Sequence, residues 1–178
     1  MGYKDELVRS MEWLAEKDDT IFIGQSVKYS GNAIFNTLKT VADDKKIEVP
    51  VIEELQMGLS TGLALEGYVP ISCYPRFDFL ILACNQLVNH LDKIDVMSQG
   101  MMKSRVIIRT SIGAKNPLDG GVQHTQDHTE AFRNLLTDIN VVLLNEPEEI
   151  FSAYELAYKR EDSKSTLLIE WGDYYNDK

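Results

Sequence analysis

Six short apolar runs, each set off from the next by a stretch of helical periodicity or by a loop, constrain this chain more than any other feature. They are "TIFIG" (20–24), "EVPVI" (48–52), "YVPISCY" (68–74), "RVIIRTS" (105–111), "INVVLL" (139–144) and "STLLIEW" (165–171). Short β-rich runs of this kind, alternating with helices, read as strands that return through crossovers. The expected architecture is a three-layer α/β/α domain with a mostly parallel sheet. "RVIIRTS" is the clearest buried strand, apolar between charged ends.

The intervening stretches carry helical spacing. Leu7, Met11 and Leu14 share one face, and a second helix is expected over about 32–42. From Glu53 to Glu66 the leucines Leu55, Leu59 and Leu63 repeat at i, i+4. Gly58 and Gly62 interrupt that helix, and an interior glycine costs about 1 kcal/mol against Ala. Close approach of another backbone, a ligand or a subunit would explain them. A long helix is expected from Arg76 to about Met97, with Phe77, Leu80 or Ile81, Cys84, Val88 and Leu91 on its main face and Phe79, Ala83, Gln86 and Lys93 on a second. "DHTE" reads as a capping box with Asp127 as N-cap and Glu130 at N3.

Charge and composition exclude several function classes. With 28 acidic against 18 basic side chains the formal charge is −10, unfavourable for nucleic acid or an anionic membrane. No apolar run is long enough to span a bilayer, and the amphipathic N-terminus has no signal-peptide core. Cys73 and Cys84 match no zinc or redox spacing, so they read as free thiols in a reducing cytoplasm. The 178 residues are read as one domain, without repeat or linker.

The chemistry-bearing candidates are few. No P-loop, dinucleotide glycine motif or nucleophile elbow occurs, so the chain shows no phosphate cradle of its own. "HTQDH" sets His124, Asp127 and His128 close together. A loop His and a helix-start His do not share a face, however, and no further ligand completes a metal set. His124 closes a Gly-rich loop beyond the carboxyl end of a buried strand, the edge at which open α/β sheets bind ligands. Glu53 stands at the same kind of place. Helix-dipole complementarity explains one acid of the Glu53–Glu54 pair, less readily both of them after an apolar run.

Taken together, "VPVIEELQMGLSTGLALEGYVPI", "RFDFLILACNQLVNHLDK", "RVIIRTSIGA" and "QHTQDHTEAF" resemble the pyrimidine-binding domain of thiamine-diphosphate enzymes, closest to the beta subunit of 2-oxo acid dehydrogenases. The matching positions are Pro50, Glu53, Gly58, Gly62, Gly67 and Pro70, then Phe77, Phe79, Gln86, Asn89 and Lys93. The resemblance implies the thiamine-diphosphate-binding fold and roles for individual residues. Glu53 would hydrogen-bond the aminopyrimidine ring and activate the cofactor, a task that suits a carboxyl able to hold a proton near neutral pH. Phe79 would stack on the pyrimidine, with Gln86 also at the cofactor. His124 would reach toward the substrate.

The family pattern is not complete. Its first strand ends in Gly and an acidic pair, where this chain has Gly24-Gln25-Ser26, and the loop from Arg109 to His124 is longer. Neither a diphosphate domain nor the family's C-terminal domain is found in residues 1–178. The resemblance therefore implies a diphosphate-domain partner that holds thiamine diphosphate and Mg²⁺, most simply in a cytoplasmic heterotetramer. Self-association through the Gly58/Gly62 helix is a further expectation. The substrate would be a 2-oxo acid or a ketose. Transketolase-type carbon transfer is the alternative reaction, and a regulatory subunit that kept the fold is the non-enzyme alternative.

Overall fold

Five of the six apolar runs supply strands to one six-stranded, all-parallel sheet of order β2-β1-β3-β4-β6-β5, whose remaining strand is Lys46–Glu48. The structure, a computed structural model, describes residues 2–177. In chain order the elements are α1 (Tyr3–Ala15), β1 (Thr20–Gly24), α2 (Ala33–Asn36), β2 (Lys46–Glu48), α3 (Glu53–Leu65), β3 (Val69–Tyr74) and α4 (Phe77–Leu80). These are followed by α5 (Ile94–Met97), β4 (Ile107–Ile112), α6 (Thr129–Leu135), β5 (Asn140–Leu143), α7 (Pro147–Lys159), β6 (Thr166–Trp171) and α8 (Tyr174–Asp177).

Helices cover both faces, and the period of two along each strand divides the core. Ile71, Cys73, Ile107 and Leu168 face α1 and α7, where Leu7, Met11, Ile150 and Tyr154 are buried. Tyr74, Ile108, Leu167 and Ile169 face the other layer, with Met57, Phe77, Leu80 and Phe132. β3, β4 and nearly all of β6 are buried along their lengths, which is why they read as unbroken apolar runs. Burial, which outweighs the opposing effect of Arg109 and is aided by Glu170, pushes the Cys73 thiol up to about 12, in keeping with an inert core cysteine.

Three expectations need correction. "EVPVI" is not a buried strand. Only Lys46–Glu48 pair with β1, at the sheet edge, and Val51 and Ile52 are 74% and 51% exposed. Pro50 has no N–H to extend the ladder, so pairing stops after the Val49 N–H bond to the Gly24 carbonyl. The leucine stripe of α3 points outward, with Leu55 and Leu59 exposed. The buried face is Glu53, Gln56, Met57, Ser60, Thr61 and Ala64. The reason is polar pairing across the layer: Gln56 Nε2 donates to the Cys73 carbonyl (3.0 Å) and Ser60 Oγ to Ser72 Oγ (3.0 Å).

The helix expected over 32–42 is a single turn capped by Asn32, whose side chain accepts from Phe35 N–H at 2.8 Å. The expected long helix from Arg76 is broken into α4, a 3₁₀ turn, a π turn over Gln86–Leu91, and α5. The wide turn, closed by Asp92 N–H to the Leu87 carbonyl, buries both Leu87 and Leu91 and delivers Asp92 to the segment before β5.

There the Asp92 carboxylate accepts from the backbone N–H groups of Thr137, Asp138 and Ile139 and from Lys93 Nζ. Burial works against its charge, but these donors outweigh it and hold the carboxyl below its ordinary 3.8. A depressed carboxyl stabilises the fold above the ordinary carboxylate range, and that contribution is lost as pH falls through it. The urea midpoint is expected to drop as pH falls below about 4, and Asp92→Asn should flatten that drop. An equal pH dependence in the variant would refute this assignment.

Candidate functional site

Because the sheet is parallel, the loops leaving β1, β2, β3, β4 and β6 all emerge at one edge. They enclose a cleft of about 530 Å³ whose wall includes Gln25, Val51, Arg76, Phe79, Ser111 and His124. Each contribution has a local cause. Gly24 ends β1 against the Cys73 carbonyl, where a Cβ would lie at 2.5 Å. The next residue but one, Ser26, is left-handed (φ 53°), and the turn is fixed by Glu48, whose carboxylate accepts from the N–H groups of Ser26, Val27 and Lys28 at 2.5–2.9 Å. Glu48 thus lines the cleft with its charge already satisfied by backbone. Gln25 is buried, and its Nε2 has no hydrogen-bond partner.

The loop after β4 folds back on its own start. Gly113 lies directly against the His124 carbonyl, with no room for a Cβ, and Gly120 packs on the Arg76 guanidinium and the His124 side chain. His124 is thereby placed edge-on to Phe79, ring centroids 5.6 Å apart at 72°. Its Nδ1 is buried without a partner. The capping box is not formed as expected. The helix begins at Thr129 with His128, not Asp127, as N-cap; Asp127, one residue earlier, accepts from Thr129 N–H at 2.8 Å, and Glu130 pairs with Arg133.

Glu53 is the first residue of α3, just beyond the cleft wall formed by Val49, Pro50 and Val51. It is only 5% exposed, and its carboxyl has no hydrogen bond or ion pair with any described residue. Its backbone carbonyl accepts from the Tyr74 hydroxyl (3.3 Å), which ties α3 to β3. Glu54, by contrast, is exposed. It accepts from Asn85 Nδ2 (3.0 Å) and Gln86 Nε2 (3.4 Å), and these two bonds lower its pKa. The structure therefore brings Phe79 and His124 together, leaves Glu53 two residues beyond the cleft wall and not among the residues that line it, and places Gln86 on Glu54 beside Gly58 rather than in the cleft. Among the described residues no cluster of three His, Cys, Asp or Glu side chains is poised for a metal.

Sequence reading passed over Arg76, whose signal was its place directly after "CYP" at the carboxyl end of β3. The Arg76 guanidinium has no hydrogen bond or ion pair with any described residue. It also borders an adjoining pocket of about 240 Å³, where Lys4 is the other charged residue and no carboxylate lines the wall. In a chain of charge −10 this is the cationic part of the site.

The chain is similar to known proteins. The family model "Transketolase, pyrimidine binding domain" matches residues 8–175. The chain is 30% identical over 131 residues to the mitochondrial pyruvate dehydrogenase E1 component subunit beta of Saccharomyces cerevisiae, covering 71% of this chain and 35% of that protein. It is 24% identical over 166 residues to the 2-oxoisovalerate dehydrogenase subunit beta of Bacillus subtilis, covering 91% and 50%. The chain thus spans half or less of the length of these relatives. In fold it is similar to a split-gene transketolase described as an inactive beta4 tetramer, with a TM-score of 0.71 at 14% identity over 96% of this chain and 51% of that one. With the match running over nearly its whole length, the chain belongs to the transketolase pyrimidine-binding domain family.

Proposed function

We propose that this chain is the pyrimidine-binding subunit of a two-chain thiamine-diphosphate enzyme acting on a 2-oxo acid or a ketose. The observation that carries the reading is Glu53. It is a 5% exposed acid beside the cleft wall that makes no hydrogen bond or ion pair with any described residue, which leaves its carboxyl available to a bound group. The residues fit the pyrimidine half of the cofactor: an unpartnered acid beside the cleft wall, a half-buried Phe79 ring, and Gln25 and His124 nitrogens left without partners. When bound, thiamine diphosphate supplies a carbon nucleophile that also holds the electron pair left by C–C cleavage.

In this reading the Glu53 carboxyl hydrogen-bonds a ring nitrogen, Phe79 offers a flat face to the ring, and His124 addresses the substrate. Gln86 contributes indirectly, by fixing Glu54 and the start of α3. Arg76, with Lys4 behind it, suits the anionic group that a 2-oxo acid or a sugar phosphate carries. The diphosphate and Mg²⁺ fall to a partner chain. The outward face of α3, with exposed Leu55 and Leu59 and with Gly62 open, is where that partner or a second copy packs, most simply in a heterotetramer. The similarity to dehydrogenase beta subunits favours an oxidative decarboxylase over transketolase-type transfer.

The test is to co-express the chain with a diphosphate-domain partner and titrate thiamine diphosphate with Mg²⁺. Saturable binding is expected for the complex and little for the chain alone. No binding by any such complex would refute the enzyme reading and leave the regulatory one.

A further inference from the structure

The two stretches that meet in the site interlock residue by residue. α4 begins Phe77-Asp78-Phe79, and the loop after β4 ends His124-Thr125-Gln126-Asp127-His128. His124 meets Phe79 edge-on at 5.6 Å, and His128 meets Phe77 edge-on at 5.5 Å and 84°. Between these two contacts, Gln126 Nε2 donates to Asp78 Oδ1 at 2.7 Å, and His128 Nε2 lies 3.6 Å from the same oxygen. Alternate loop residues therefore dock on consecutive positions of one helical turn, with Asp78 engaged by two of the three.

Asp78 is costly where it stands. Its side chain is 7% exposed, and Oδ2 is buried without a hydrogen bond. An aliphatic residue would fill this position without that penalty. What the carboxylate provides is a single anchor for Gln126 and His128, and so for the segment that carries His124 into the cleft. We propose that Asp78 is the positioning residue of this site, setting through Gln126 and His128 the placement of the His124 imidazole against Phe79. The inference rests on the reading of His124 as the residue that addresses the substrate.

The first test needs no cofactor. The full-length chain is treated with diethyl pyrocarbonate, with His90, which is exposed, as internal reference. Losing a hydrogen bond to a buried charge should raise His124 acylation roughly tenfold in Asp78→Ala. Asp78→Asn should restore the wild-type rate, because its amide oxygen still accepts from Gln126. Gln126→Ala removes the same contact from an exposed position and keeps the test informative if Asp78→Ala does not fold.

In the reconstituted complex, Asp78→Ala should lower kcat/KM for substrate with unchanged thiamine-diphosphate affinity, and Asp78→Asn should recover it. His124 reactivity that is the same in wild type, Gln126→Ala and any folded Asp78 variant would overturn the proposal. So would failure of Asp78→Asn to recover what Asp78→Ala loses. A wild-type complex without turnover would instead count against the proposed function, leaving the acylation result intact.

Discussion

Glu53→Gln is expected to slow exchange of the cofactor's thiazolium proton in the reconstituted complex by about 10²–10⁴-fold, the usual contribution of a positioned acid–base group. The substitution keeps size and shape and removes only the ability to hold and release a proton. Because Glu53 makes no hydrogen bond or ion pair with any described residue, the variant should melt at about the same temperature as wild type. Assembly should be unaffected, since the contacts that fix α3 come from Gln56, Ser60 and the Tyr74 hydroxyl on the Glu53 backbone. The two readouts together are diagnostic. Loss of exchange with retained stability is the pattern of a functional acid that the fold tolerates. Normal exchange, or a clear fall in melting temperature, would show that Glu53 serves the fold instead.

Arg109→Met should give the largest loss of stability. Arg109 on β4 and Glu170 on β6 are both fully buried and joined by two bonds, Nε to Oε1 at 2.6 Å and Nη2 to Oε2 at 3.0 Å. The Tyr154 and Tyr175 hydroxyls also donate to Glu170. Burial opposes charge on Arg109, but Glu170 and the surrounding groups outweigh it and raise the guanidinium further. Removing one partner leaves the other charge buried alone, a loss of about 3–5 kcal/mol. For a chain of this size that is a fall in melting temperature of about 6–20 °C. Arg109→Lys should fall between, keeping the charge but not the planar two-bond fork. A loss below about 1 kcal/mol for Arg109→Met would contradict this account of the pair. The cleft should suffer as well, because β4 and β6 run directly into Gly113 and Gly172 on its wall.

The fold was largely legible because its physics is local. A strand buried on both faces must be apolar along its length, so "YVPISCY" and "STLLIEW" announce themselves. Where burial is one-sided or absent the signal misleads: Val51 and Ile52 look like core and lie exposed, and the leucines of α3 face outward. An apolar stripe shows that something is to be covered, not whether the same chain covers it. Glu53 was reached through the family pattern and a strand that ends earlier than it reads. Phe79 and His124 were individually legible, but their contact was not.

By itself the sequence determined the alternation of strands and helices, the edge at which loops gather, and the acid at the start of α3. Each of these depends on spacing within a few residues. Only the tertiary structure decided which distant polar residues meet. Arg109 and Glu170 are 61 residues apart, and the β4–β6 register brings them together by setting Leu168 opposite Arg109 and Glu170 opposite Ser111. Asp78 meets Gln126 only because the loop after β4 turns back at Gly113. A polar residue in a core carries no mark of its partner, since the free energy that justifies its burial arises only when the two elements pack.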